Sequence, residues 1–349
     1  MRELMSDSLA RDAQRVLAAV DLTPVAGRSV LLTGASGLVG THLLASLDEA
    51  QRRGKGAGRV VAVVHGEVPV HLEPLLAGPA TTVIRGDLTD PALLPHAGHF
   101  DFIVHAAGYG QPGRFMADPI KTIALNTVCT LRLFDLLAPG GHLLFVSTSE
   151  VYSGLAQPPF CETRIGTTNT DHPRACYIEA KRCGEAICNA YRSRGVAASS
   201  ARLALAYGPG TRRGDQRVLN VFIERALTQR GIRLQDMGGA QRTYCYVSDA
   251  VELLWHILLG ADAAIYNVGG TSRLTIAELA RRIGRHLDVP VEFPAGEQTL
   301  SGAPEDVQLD LGLVAREFGK TRFVPIEEGL AQTIKWQAGL YQDAAQMEG

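Results

Sequence analysis

Residues 30–40, VLLTGASGLVG, place an apolar, strand-like run directly before a glycine-rich turn and the start of a helical pattern. Gly34, Gly37 and Gly40 have separate uses in such a turn: a tight bend, close approach of the backbone to a phosphate, and close packing of the helix on the strand. The following helix offers free N–H groups and a positive dipole end to an anion. In this strand–turn–helix context the glycines predict a dinucleotide-binding site in a parallel α/β sheet.

Strand-like runs and helical patterns alternate through the first two thirds of the chain. Further apolar runs occur at residues 60–64, 81–84, 102–105, 142–147 and 197–203. Helical patterns fall between them at residues 38–53, 119–137 and 173–194. Buried strands that alternate with helices form a parallel sheet covered on both faces. The predicted fold class is therefore α/β: a Rossmann doubly wound parallel sheet with a smaller C-terminal substrate-binding lobe.

The same patterns predict the division of the chain. Residues 1–26 form a predicted N-terminal helical extension, because apolar residues recur there at helical spacing. Residues 27–206 form the predicted dinucleotide-binding Rossmann domain. Residues 207–349 are mainly the substrate-binding lobe, and a part of them, about residues 240–270, is predicted to return to the Rossmann domain.

Charge and composition exclude several classes of function. The formal net charge of -2 gives no basic field, so we expect no nucleic-acid partner. No apolar run approaches the roughly 20 residues of a membrane span, and the N-terminal segment is charged. We therefore expect a cytoplasmic protein with no membrane partner. The six cysteines form no CxxC pair, and we expect no metal site.

Two further strand ends extend the predicted cofactor site. Asp87 and Leu88 follow the third strand, where the carboxylate is placed to accept the adenine amino group. Ala106 and Ala107 follow the fourth strand and let the cofactor lie against the backbone. The predicted cofactor is NAD, and NADP stays open because the second strand ends at His65 instead of an acidic residue. The predicted cofactor contacts are Gly34, Ser36, Gly37, Leu38, Val39, Gly40, Asp87, Leu88, Ala106, Ala107, Tyr177 and Lys181.

Tyr177 and Lys181 are four residues apart in a helical pattern and share one helix face. A tyrosine with a pKa of ~10 is a poor base at neutral pH. We expect the lysine ammonium and the charge of the cofactor to lower that pKa. Tyr177 then takes a proton from a substrate hydroxyl while a hydride leaves for the nicotinamide.

The strand before that helix ends in STSEVY, residues 147–152. Carboxyl ends of strands face the ligand crevice in such sheets. Thr148 is predicted to hydrogen-bond the reacting hydroxyl. Glu150, a carboxylate in a partly dry site, is predicted to act as an acid or a base.

Together these motifs resemble the extended short-chain dehydrogenase/reductase family, the epimerases, dehydratases and decarboxylases of nucleotide sugars. Residues 29–336 carry the resemblance, which is strongest to the UDP-glucuronate decarboxylases (UDP-xylose synthases). That group is similar at DPIKT followed by NT (residues 118–127), at STSEVY, and at PRACY with its lysine and glutamate. The resemblance implies catalytic roles for Thr148, Glu150, Tyr177, Lys181 and Arg242, and substrate binding by Arg217 and Arg242.

The resemblance also implies a reaction and an assembly. Oxidation of the 4-hydroxyl of a glucuronate gives a β-keto acid, which loses carbon dioxide easily, and the hydride then returns to the sugar. Arg242 would orient the carboxylate. The substrate is accordingly expected to be a nucleotide sugar. The family pairs two subunits through helices like those at residues 119–137 and 173–194, which implies a homodimer.

Other reactions stay open at this point. Most 4,6-dehydratases carry an aspartate where Ser149 stands, although GDP-mannose dehydratases share the Thr-Ser-Glu triplet. A 4-epimerase would not need Glu150. From a different class, a non-catalytic dinucleotide-binding sensor would have no physical need for the complete set of four catalytic residues.

The part of the family pattern that holds the nucleotide diphosphate is matched less well. Asn220 lies one place earlier than the asparagine of the decarboxylases. Residues 307–310, VQLD, lack the arginine expected before the aspartate. These departures favour an unusual substrate.

Overall fold

A seven-stranded parallel sheet forms the centre of the computed structural model, which describes residues 2–94, 97–295 and 306–347. Its strands are β1 (Ser29–Thr33), β2 (Arg59–Val64), β3 (Thr81–Arg85), β4 (Phe100–His105), β5 (Leu137–Thr148), β6 (Ala197–Leu203) and β10 (Ile265–Val268). Their order is β10-β6-β5-β4-β1-β2-β3, and all neighbours are parallel. The strand order reverses beside β1, so a crevice opens at the carboxyl ends of β1 and β4. The predicted Rossmann sheet is confirmed.

Helices cover both faces of this sheet. They are α1 (Arg2–Ala19), α2 (Leu38–Arg52), α3 (Glu73–Leu76), α4 (Pro112–Ala117), α5 (Pro119–Asn126), α6 (Val128–Phe134), α7 (Ala175–Arg192), α8 (Val218–Gln229), α9 (Val247–Gly260), α10 (Ile276–Leu287), α11 (Gly312–Phe318) and α12 (Ile326–Met347). Successive strand residues face opposite sides. Val30 and Leu32 therefore join the core beneath α2 and α9, and Leu31 joins the core beneath α5, α6 and α7.

The single helix predicted over residues 119–137 is wrong. The chain forms α5 and α6 with a break at Thr127, and β5 begins at Leu137. The backbone N–H of Phe100 bonds the carbonyl of Leu136, so the segment pairs with β4 instead of continuing the helix. Pro139 follows closely, and a proline disfavours the helical conformation of the residue before it.

A second apolar core lies outside the main sheet. Its short strands are β7 (Leu205–Tyr207), β8 (Ile232–Arg233), β9 (Gln241–Tyr246), β11 (Ser272–Thr275), β12 (Val291–Glu292) and β13 (Asp306–Val307). Strand β9 pairs with β7, β11 and β13. Residues from α8, α10 and α12 pack with these strands, among them Ile223, Ile283 and Leu330. Between these pieces the chain returns β10 to the main sheet.

The N-terminal helix packs on the body that contains the main sheet. Leu9, Ala13 and Val16 of α1 are buried, and α1 contacts α2, α9 and α12. The helix ends at Ala19, and a short turn (Thr23–Val25) leads into β1. Across the described part of the chain, every helix is either too short or too polar to cross a lipid bilayer.

Candidate active site

A cleft runs along the carboxyl ends of the main strands, between the glycine-rich turn and the loop of residues 208–217 that joins β7 to α8. We refer to residues 208–217 as the β7–α8 loop. The predicted residues that line the cleft are Gly34, Ser36, Gly37, Leu38, Val39, Gly40, Asp87, Leu88, Ala106, Ala107, Thr148, Glu150, Tyr177, Lys181 and Arg217. Arg242 is not one of the described residues that line the cleft.

The glycine-rich turn has no room for side chains at two of its three glycines. Gly34 has a φ of +70°, and a Cβ there would lie 2.5 Å from the carbonyl oxygen of Ala106. A Cβ on Gly40 would lie 2.3 Å from the carbonyl oxygen of Gly34. A Cβ on Gly37 would instead meet only that same oxygen, at 3.3 Å, and would otherwise extend into the cleft. This open cradle at the start of α2 fits a pyrophosphate, which the first N–H groups of the helix would bind.

Asp87 lies in the cleft beside two polar neighbours. Its Oδ2 is 2.5 Å from Nζ of Lys121, and its Oδ1 accepts hydrogen bonds from the backbone and hydroxyl of Thr89. Burial raises the pKa of Asp87, but Lys121 and Thr89 outweigh it and lower the pKa to about 2. Asp87 is therefore a carboxylate at neutral pH. Its contact with an adenine amino group stays a prediction.

Tyr177 is buried at the floor of the cleft. Its ring stacks on Phe115 with centroids 4.5 Å apart, and its hydroxyl faces the side chain of Thr148. Burial raises the pKa of Tyr177 above its ordinary value, the charge of Glu150 raises it further, and Thr148 and Arg174 only partly oppose this. In the protein alone burial outweighs nearby positive charge, and the lowering expected from Lys181 together with the charge of the cofactor stays a prediction.

Lys181 lies one helical turn beyond the tyrosine and is also buried. Its Nζ donates to the carbonyl oxygen of Val146 at 2.7 Å and lies 5.9 Å from the centre of the Tyr177 ring. Burial lowers the pKa of Lys181 to about 7, although Glu185 opposes the shift. The lysine can therefore gain or lose a proton close to neutral pH.

Glu150 forms an ion pair with Arg174 at the start of α7. Its second oxygen, Oε2, is buried and has no hydrogen-bond partner within the described residues. Burial raises the pKa of Glu150, and Arg174 and Arg242 only partly oppose the shift. An orphaned carboxylate oxygen at the cleft is suited to bind or protonate a substrate group.

The two arginines expected to bind substrate differ in placement. Arg217 lines the cleft, but its Nε and one terminal nitrogen bond the carboxylate of Asp215 at 2.9 and 2.6 Å. Arg242 is half-buried on β9, and one of its terminal nitrogens donates to the carbonyl oxygen of Gln241 at 2.7 Å. Arg242 thus does not line the described cleft, although its charge still lowers the pKa of Glu150.

Comparison with known proteins identifies the family. Residues 30–269 match the model of the NAD dependent epimerase/dehydratase family. The chain belongs to this family. Its membership confirms the resemblance given by the sequence motifs and the expectation of NAD as cofactor. Two relatives are UDP-glucuronic acid decarboxylase 3 of Arabidopsis thaliana, 31% identical over 86% of either chain, and UDP-glucuronic acid decarboxylase 1 of Xenopus tropicalis, 32% identical over 88% of this chain and 72% of that protein.

Solved structures share the same fold. Epimerase Mth375 from Methanothermobacter thermautotrophicus superposes with a TM-score of 0.79 at 21% identity, over 93% of this chain and 96% of that chain. MoeE5 in complex with UDP-glucuronic acid and NAD gives a TM-score of 0.72 at 24% identity, over 88% and 98%. At these identities the likeness establishes the architecture alone.

Several residues at or beside the cleft of this epimerase/dehydratase family member were not predicted as site residues from its sequence. Arg174 pairs with Glu150 without lining the cleft, and it had a signal, since it stands three residues before Tyr177 and so reaches the same end of α7. Lys121 belongs to the DPIKT motif of the family resemblance, but nothing in the sequence indicated its contact with Asp87. Arg212 had no signal, because only the folded chain brings the β7–α8 loop to the cleft. Asn220 lies one place earlier than the asparagine of the decarboxylases. It is buried, and its side-chain oxygen accepts a hydrogen bond from Gln337 at 2.7 Å.

Proposed function

We propose that this protein is an NAD-dependent enzyme that decarboxylates a UDP-glucuronate-like nucleotide sugar through a 4-keto intermediate. The observation that carries the proposal is the placement of Glu150, with its orphaned Oε2, beside Tyr177 in the cleft of the glycine-rich turn. The relatives from Arabidopsis and Xenopus are UDP-glucuronic acid decarboxylases, which supports this reaction over 4,6-dehydration and 4-epimerisation.

The residues proposed to hold NAD are those around the cradle. The N–H groups of Leu38 and Val39 would bind the pyrophosphate, and Asp87 would accept from the adenine. Bound there, NAD would supply the hydride acceptor for oxidation of the sugar, the hydride for its later reduction, and a positive charge in the cleft. Ala106 and Ala107 keep side-chain bulk away from that surface.

Tyr177 is the proposed base. Its phenolic oxygen takes the proton of the sugar 4-hydroxyl as the C4–H bond gives up its hydride. Thr148, whose side chain faces that oxygen, is proposed to hold the sugar hydroxyl in line. Lys181 lies behind the ring and stabilises the phenolate with its ammonium form.

The carboxylate leaves once the sugar carries the 4-ketone. The bond between C5 and the carboxylate breaks, its electrons pass to the ketone oxygen, and carbon dioxide departs. Carbon C5 then needs a proton, which Glu150 is proposed to deliver because burial raises its pKa. Arg174 and Arg242 place positive charge near the sugar carboxylate before it leaves. Return of the hydride and of the Tyr177 proton gives the pentose.

Mass spectrometry tests the proposal directly. The purified protein is incubated with NAD and, separately, with UDP-glucuronate and a panel of neutral nucleotide sugars. We expect a product lighter by one carbon dioxide from UDP-glucuronate only. Loss of water from a neutral sugar would identify a dehydratase, and a stereoisomer of unchanged mass an epimerase. Tight NAD binding without turnover of any sugar would indicate a sensor.

We also propose a homodimer. Apolar side chains are exposed on one surface formed by α4, α5 and α6, and an apolar patch of this kind on a protein surface marks an interaction site. The exposed residues are Met116, Ile120, Ile123, Val128 and Leu131. A twofold axis beside α5 would bury the same patch on both copies.

The predicted division of the chain stays a proposal as well. Two separate apolar cores support a Rossmann domain of residues 27–206 and a mainly substrate-binding lobe of residues 207–349. We propose a cytoplasmic location, because the six cysteines are all free thiols, as is usual in a reducing compartment.

A further inference from the structure

Asp12 is a buried carboxylate on the inner face of α1, with 3% of its surface exposed. Its two oxygens each lie 3.1 Å from the hydroxyl of Tyr246, which donates to them. Its Oδ2 also lies 3.9 Å from Nδ1 of His42 on α2. Burial of a carboxylate costs free energy that such neighbours offset. Asp12 therefore ties α1 to the last residue of β9 and to the helix that follows the glycine-rich turn.

His42 extends this connection to the cleft. It is buried, and its Nε2 lies 2.9 Å from the carbonyl oxygen of Pro209. A carbonyl only accepts, so Nε2 carries a proton and donates it to this bond. That orientation turns Nδ1 toward Asp12 at 3.9 Å, where Nδ1 makes no hydrogen bond within the described residues, so Asp12 and the imidazole meet in a packing contact. Through this contact and the bond to Pro209, His42 lies between α1 and the β7–α8 loop.

The β7–α8 loop closes one side of the cleft. Nε1 of Trp336 donates to the carbonyl oxygen of Thr211 at 2.9 Å and fixes the loop from α12. From the same loop, the guanidinium of Arg212 donates to the carbonyl oxygen of Ser36 at 2.9 Å, in the glycine-rich turn. The loop therefore spans the cleft, and a small displacement of Pro209 would move Arg212 away from the turn.

We propose that α1 positions the β7–α8 loop over the NAD cleft, with Asp12 acting through His42. The inference rests on the cleft being the NAD site of the proposed function. Asp12 touches no lining residue of the glycine-rich turn and is a positioning residue. Helix α1, which contains Asp12, precedes residues 30–269, the part of the chain that matches the family model. The proposed positioning of the β7–α8 loop by α1 therefore uses residues outside the matched part.

Calorimetry of NAD binding tests the inference. Asp12→Ala removes the acceptor for Tyr246 and frees His42, and we expect the Kd for NAD to rise by about tenfold, the scale of one lost hydrogen bond to a charged group. At saturating NAD the kcat should be nearly unchanged. Asp12→Asn keeps an acceptor and should restore most of the affinity. His42→Phe removes the hydrogen bond to Pro209 while α1 keeps its own sequence, and it should weaken NAD binding to the same extent.

Glu328→Gln is the matched control. Glu328 pairs with Arg15 at 2.5 Å and so ties α1 to α12 through an exposed contact that does not include His42. Loss of this exposed pair should leave the Kd for NAD within about twofold, as is usual for surface ion pairs. A general loosening of α1 would instead weaken binding in Glu328→Gln as well and would overturn the role assigned to Asp12.

Hydrogen–deuterium exchange gives a readout that does not depend on turnover. In Asp12→Ala we expect faster exchange of amides in residues 208–217 and in α1, with β4 and β5 unchanged. Unchanged exchange in the β7–α8 loop, together with unchanged NAD affinity, would refute the inference. If the wild-type protein itself fails to bind NAD, the proposed function fails instead, and the two failures are therefore distinguishable.

Discussion

Burial moves three titratable residues of the cleft toward their neutral forms. The pKa values of Tyr177 and Glu150 rise, and the pKa of Lys181 falls to about 7. Proton transfer among nearly neutral groups requires little reorganisation of charge. A positive charge beside the phenol would favour the phenolate and so act against the effect of burial on Tyr177.

Glu150→Gln separates hydride transfer from the later chemistry. The glutamine keeps the size of the side chain but cannot deliver a proton to C5. We expect reduced nicotinamide to accumulate, seen by its absorbance, while product release falls by at least ~100-fold, the usual scale for general acid–base catalysis. Tyr177→Phe should lose both steps and still bind the sugar.

The matched control for this variant is Glu179→Gln. Glu179 also pairs with an arginine, Arg182, at 2.6 Å, but outside the cleft. It should retain wild-type turnover. Wild-type turnover by Glu150→Gln itself would remove the main support for decarboxylation and favour an epimerase.

Lys181→Met should change how stability depends on pH. Between pH 7 and 10.5 the unfolded lysine is protonated and the buried one is neutral, so the unfolded chain binds more protons and stability rises with pH. The cost of burying the ammonium is complete below about pH 7. The methionine variant has no such cost. Its free energy of unfolding relative to wild type should be most favourable near pH 6 and decline toward pH 10, as measured by urea denaturation.

At the scale of elements, the glycine-rich turn separates folding from ligand binding. Gly40 is required by the protein's own backbone, whereas Gly37 has room on its cleft side. Gly37 also has φ -82° and ψ 171°, which are accessible to any residue. The two glycines lie three residues apart in one motif. Gly40 is thus needed for packing within the fold, whereas Gly37 leaves space for the ligand.

Gly37→Val should abolish NAD binding in calorimetry and leave the fold intact. We expect the free energy of unfolding to change by less than about 1 kcal/mol, as at an open site. Gly40→Ala should show the opposite sensitivity, with a loss of about 1–3 kcal/mol, the usual cost of overpacking. Full NAD affinity in the valine variant would contradict the placement of the pyrophosphate.

The elements with a local cause were predictable from the sequence. The strand–turn–helix of residues 30–40 and the Tyr177–Lys181 face follow from periodicity and glycine placement, and both lie where they were expected. The start of β5 at Leu137 was not predictable, because pairing of β5 with β4 overrides helical periodicity. Arg212 was missed for a similar reason: its neighbour Ser36 is remote in sequence, and a single sequence carries no signal for such a contact.

At the scale of the whole molecule, the apolar patch on α4, α5 and α6 remains exposed to solvent when a single chain has folded. Ile120, 76% exposed, is its most exposed member. We expect light scattering to give the mass of two chains at micromolar concentration. Ile120→Lys should give one chain, because each interface would then bury two unpaired charges.

Met237→Lys controls for added surface charge. Met237 is 49% exposed and lies outside this patch. The substitution should leave the dimer intact. A monomeric mass for the wild-type protein would contradict the homodimer without affecting the assignment of the cleft.

Strand β10 follows its neighbour β6 late in the chain, so one edge of β6 lacks its partner during part of protein synthesis. Strand β6 ends at Leu203, but its neighbour begins only at Ile265. At about 5–20 residues per second, a ribosome needs roughly 3–12 s to synthesise the intervening residues 204–264. For that interval the nascent sheet presents the unpaired backbone of β6, and a second nascent chain or a chaperone can reach this strand before its own partner does.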